Sequence, residues 1–102
     1  MNHRTHPTQQ DEALRQARLD SVVRESLRLI ADTLTHVQPN QLMDASHRLH
    51  LAYTVANEIH RDTPGAAAEL EHKLLLRMPW VDGRAVTRGE YALWLHKTSW
   101  SA

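Results

Sequence analysis

Positions 19, 22, 23, 26–27, 30, 34 and 37 recur with the spacing of one helix face, and this run does most to limit what the chain can become. A stripe of that length commits the first third of the chain to one long helix. The stripe is wide, because Leu29 lies beside Val22. Upstream, "TQQD" sets Thr8 three residues before Asp11, the spacing of a capping box that opens a helix. Leu14 lies off the stripe, so the first turns either pack elsewhere or project. Asp11 to Arg15 and Asp20 to Arg24 are acid-to-base pairs at i,i+4, typical of a solvated face. Pro39-Asn40 ends this helix near Val37.

Three more helices follow from the punctuation. The second is predicted from about Gln41 to His60 or Arg61, with Leu42, Ala45, Leu49, Ala52, Tyr53, Ala56 and Ile59 as its main stripe. "DTPG" at 62–65 stops it; Asp62 or Thr63 can cap the next helix, and Pro64 suits a first helical turn. The third helix spans about 64–78, buries Ala67, Leu70, Leu74 and Met78, and ends at Pro79. Asp82-Gly83 is a tight-turn signal between "WV" and "RAV". Thr87 and Glu90 have capping-box spacing and open a last helix of about 88–98. The expected fold is all-α: a compact bundle of about four helices, with a very short hairpin or tight turn at 80–86. Residues 1–7 read as a disordered leader and 8–102 as one helical domain.

Charge and composition narrow the function. Twelve basic and twelve acidic residues cancel, so the chain lacks the basic excess that nucleic acid or an anionic membrane surface calls for. With no Cys there is no disulfide and no thiolate chemistry, which suits a reducing cytoplasm. The polar start "MNHRTHPTQQDE" has no signal-peptide core, and Leu74-Leu75-Leu76 is far too short to cross a bilayer. These features predict a soluble, cytoplasmic protein.

No catalytic motif stands out. Ser21, Ser26 and Ser46 have no nucleophile-elbow context, and the three glycines make no phosphate loop. The expectation is no enzyme, no catalytic residue and no cofactor. His47 and His50 share a flank of the second helix, with His60 about a turn round from them. Two His at i,i+3 bind a metal only when further ligands converge, so no metal site is assigned and a His-based site stays a minor alternative. A helix-turn-helix-like DNA-binding regulator is the other alternative, built on the second and third helices. A recognition helix offers polar and basic side chains near its N-terminus; this one begins with three Ala.

The apolar residues that fall outside the stripes point to protein surfaces instead. Leu51 and Val55 lie opposite the Ala-rich stripe, Leu76 is out of line on the third helix, and Leu14 on the first. Together they are the candidate dimer interface. Four of the five large aromatics stand near the C-terminus, as Trp80, Tyr91, Trp94 and Trp100. Tyr91, Trp94 and Leu95 share one face of the last helix, placed to close the core; Leu93 and Trp100 share another, placed for a partner. Trp80, Leu93, Trp94 and Trp100 are therefore the candidate partner-binding residues, with Trp80 and Trp94 read equally as core.

In its size, its helical content and the segment "PWVDGRAVTRGEYALWLHKTSW", the chain resembles the QslA-like quorum-sensing anti-activators of pseudomonads. No functional residue carries over from that likeness. It implies a homodimer of helical protomers that binds the ligand-binding domain of a LuxR-type transcription factor. Such binding blocks the factor's own dimerisation and hence its DNA binding. The protein would not touch nucleic acid or membrane itself.

Overall fold

Local signals set the helices. A computed structural model of the chain describes residues 9–81 and 85–101, with the side chains of residues 100 and 101 excepted. Those described residues form four helices: α1 (Gln9–His36), α2 (Ala45–Ile59), α3 (Pro64–Arg77) and α4 (Arg88–Ser101). The 1–7 leader, the Thr8 cap, the Asp82-Gly83 turn and the Trp100 side chain lie outside the described residues.

α1 ends where Gln38 takes a left-handed φ of 50° just before Pro39. That conformation costs a non-glycine residue ~1 kcal/mol and breaks the helical path. α3 starts on Pro64 as its first helical residue, after Thr63, whose side chain makes no capping bond. α4 opens on the full capping box: Glu90 Oε1 accepts from the Thr87 N–H at 2.9 Å, and Thr87 Oγ1 accepts from the Glu90 N–H at 3.1 Å.

α2 begins four residues later than the sequence suggests. Asp44 caps it, its Oδ1 accepting from the His47 N–H at 2.7 Å. Residues 41–43 are extended instead. Leu42 forms an antiparallel bridge to Thr87, flanked by Met43 N–H to Val86 O and Arg88 N–H to Gln41 O, each 2.8 Å. Val86 is thus tied through its carbonyl to the α1–α2 linker. Among the described residues there is no strand.

α1 packs chiefly on α4, and α2 on α3. One core joins all four, from Leu27, Ile30 and Leu34 through Leu51 and Ala56, Leu70 and Leu74, to Tyr91 and Leu95. The third-helix stripe is as expected: Ala67, Leu70, Leu74 and Met78 are all buried. Ser26 on α1 and Ser99 on α4 are also fully buried, each satisfied by a carbonyl of its own helix, Val22 O and His96 O. Every residue from Gln9 to Arg18 is exposed, so the first turns of α1 project. Arg15 ties them to α3 through Glu69 at 3.2 Å.

The α2 stripe needs a correction. The buried residues are Arg48, Leu51, Ala52 and Ala56, with Val55 packed on the core; Leu49, Tyr53 and Ile59 are exposed. The helix is turned by roughly 80° from the expected phase, at 3.6 residues per turn. Leu51, 7% exposed, and Val55 are core side chains and leave the candidate dimer interface.

Candidate functional site

Arg48 explains the turn of α2. It is only 3% exposed, yet it carries a full charge. Its Nε donates to Pro79 O at 3.1 Å, and its Nη2 donates to Leu75 O at 2.7 Å and Met78 O at 3.0 Å. These carbonyls lie at and just beyond the C-terminus of α3, where the helix dipole is negative and acceptors lack intrahelical donors. The guanidinium also lies 4.5 Å from the centroid of the Trp80 ring, a cation–π contact. Tyr91 donates its hydroxyl to the same Pro79 oxygen. Burial pushes the Tyr91 phenol up to about 12, although the neighbouring Arg48 pulls it the other way. One buried cation thus ends α3, fixes the exit of the chain through Pro79, and holds Trp80 in place.

Turning Arg48 inward turns Leu49 outward. Leu49, Leu76 and Trp80 line one groove of about 380 Å³, together with Ala45, Arg48, His72 and Leu75. Trp80 is 73% exposed and Leu76 67%, so two large apolar side chains stand in water on a wall that Arg48 braces. Tyr53, one turn along α2 from Leu49, extends the same exposed face. Apart from Arg48, which is buried and compensated, the lining carries no formal charge.

A second groove, of about 640 Å³, runs along the outer side of α4. Val86, Leu93 and Trp94 form its apolar part; Glu90, His96 and Lys97 line it too. Leu93 is 65% exposed. Trp94 is half-buried against the core, its ring 6.1 Å from that of Tyr91 and tilted. Tyr91 and Leu95 are fully buried, so the inner face of α4 closes the core as expected.

The candidate residues therefore regroup. Leu76, assigned by sequence to the dimer, and Trp80, assigned to the partner, share one groove. Leu93 and Trp94 share the other. Leu14 is exposed but lines neither. Leu49 and Tyr53, expected in the core, are surface residues that sequence reasoning missed. The available signal was Arg48 itself, three and four residues before Leu51 and Ala52: if it turns inward, so do they.

The His47 and His50 rings stack with centroids 6.4 Å apart. Burial, the charge of Arg88 and His50 hold His47 below its usual value, against the pull of Asp44. Among the described residues no group of three or more His, Cys, Asp or Glu converges on a metal-sized site. The exposed residues at the start of α3 are Pro64, Gly65, Ala68 and Glu69, none of them a donor for base edges. No helix among the described residues is long and apolar enough to cross a membrane. No family model, curated protein or solved structure matches the chain.

Proposed function

We propose that this protein is a non-enzymatic regulator that binds a protein partner and inhibits it, working as a homodimer in the cytoplasm. The groove of Leu49, Leu76 and Trp80 carries this reading. Its wall is set in advance by Arg48, so little ordering entropy is lost when a partner docks. It offers an aromatic anchor with its indole largely in water, the kind of residue that dominates binding energy once desolvated. Its lining suits an apolar ridge, such as one face of an amphipathic helix, better than a phosphate or a charged substrate.

The resemblance to the QslA-like anti-activators supplies the partner class: a LuxR-type quorum-sensing transcription factor, inhibited because its own dimerisation is blocked. A gel-shift assay with such a factor and its DNA site tests this. Excess protein is expected to abolish the shifted band. Trp80→Ala should raise the concentration for half-inhibition at least about 30-fold, the loss of a hot spot of about 2 kcal/mol, while leaving the thermal melt nearly unchanged. A band that persists at tens of micromolar protein removes this partner class. Full potency in Trp80→Ala removes the groove as the site.

A further inference from the structure

The outer face of α4 has a symmetry that the first groove lacks. Glu90 and Lys97 lie at equal distances in sequence on either side of the Leu93–Trp94 midpoint, and all four line the same groove. Spacings of 90, 93–94 and 97 keep them on one side of the helix. We infer that a second copy of this chain covers this groove, its α4 lying antiparallel across the first about a two-fold axis near the Leu93–Trp94 bond.

The charges select that arrangement. With the two α4 helices antiparallel, Glu90 faces Lys97 of the partner subunit, and Lys97 faces Glu90 of the partner subunit. Set parallel, each charge would face its own sign. A two-fold interface must be complementary to itself, and this face is. The apolar centre then pairs Leu93 with Trp94 of the partner subunit, and the reverse, which removes the exposed Leu93 side chain from water. The two ion pairs fall at the rim, where they set orientation more than affinity. The Leu76–Trp80 groove stays open on each subunit. The inference rests on the homodimer in the reading above but needs no partner protein, so its test contains this chain alone.

The absence of Cys gives that test a clean background. Leu93→Cys places one thiol near the axis and Leu76→Cys places one in the other groove. Under a mild glutathione redox buffer the Leu93→Cys chain should form a disulfide-linked dimer on a non-reducing gel, and the Leu76→Cys chain should not. Sedimentation equilibrium at low salt supplies the second measurement. Lys97→Glu, an exposed change, should weaken the dimer about tenfold by setting two acids against each other at both ends. Adding Glu90→Gln should recover most of that loss, because Gln keeps the cap to Thr87 and removes the repulsion. A monomer at tens of micromolar overturns both the inference and the homodimer. A dimer that cross-links through position 76, or that ignores Lys97→Glu, overturns the inference alone.

Discussion

The two grooves are both apolar and both open, but they are made differently. The α2–α3 groove depends on one buried charge: Arg48 binds three carbonyls at the end of α3, stacks on Trp80, and by turning inward pushes Leu49 out. Its lining is neutral apart from that compensated cation. The α4 groove depends on a helix that needs no such support. Its inner residues, Tyr91 and Leu95, are core, and its capping box is local. Its acidic and basic residues stand at the groove itself. A neutral wall fits a partner of complementary shape, whereas a face with ordered opposite charges fits a copy of itself. Exposed apolar area alone would not separate the two; the placement of charge does.

The most severe way to break the contrast is Arg48→Met, which keeps the stem and removes the charge. The carbonyls of Leu75 and Met78 lose the Arg48 donor, and that of Pro79 keeps only the Tyr91 hydroxyl. Each uncovered group costs about 1–3 kcal/mol, so a loss of about 3 kcal/mol is expected after relaxation. For a domain of this size that is a fall of roughly 15 °C in Tm, measured by circular dichroism. Partner binding should fall with it, because Trp80 loses its support. Self-association through α4 should persist below the new Tm. A cost under about 1 kcal/mol would mean that the first groove does not rest on Arg48.

Tyr91→Phe probes the link between the two regions at lower cost. Its hydroxyl shares Pro79 O with Arg48, so α4 helps to fix the wall of the other groove. Losing this bond should cost about 1 kcal/mol in urea denaturation. The phenol adds an alkaline signature. The folded chain keeps it protonated up to about 12, while the unfolded chain releases the proton near its ordinary 10.0. Above pH 10 the unfolded state binds fewer protons, so stability falls as pH rises toward 12. In Tyr91→Phe that part of the decline should vanish. An unchanged alkaline limb would place Tyr91 in water and detach α4 from the Arg48 cluster.

What could be read from the sequence follows the reach of each interaction. The Thr87–Glu90 box, Pro64 at the start of α3, the end of α1 before Pro39 and the stripe of α3 all depend on residues within a few positions of one another, and all were legible. The phase of α2 was not. It hangs on Arg48 finding acceptors 27, 30 and 31 residues away. By pattern alone a charged residue belongs outside, so Leu49 and Tyr53 were assigned to the core and Leu51 and Val55 to the surface. The same long-range contact explains why Leu76 and Trp80 were split between two proposed surfaces: only the folded α2–α3 pair brings them together. Leu93 stood apart from the core-facing residues in sequence because the two faces of α4 differ locally.

The smallest expected effect lies at the seam between the regions, where α2 and α4 both begin. The Leu42–Thr87 bridge brings Arg88, the first residue of α4, near the capped start of α2. Burial and that positive charge hold His47 below its ordinary 6.5, with Asp44 opposing. The unfolded chain therefore takes up a proton at a higher pH than the folded chain. This contribution to stability is fully present above the unfolded value and declines as pH drops from about 6.5 toward the lower folded value. His47→Gln should flatten that acidic limb slightly. Arg88→Gln should move the His47 titration up while leaving Asp44 to cap α2. Proton NMR of the His47 ring checks both points against the other histidines. If His47 titrates at or above an unfolded peptide, the start of α4 does not press on α2 in solution. The two grooves would then be coupled only through Pro79, where Tyr91 meets Arg48.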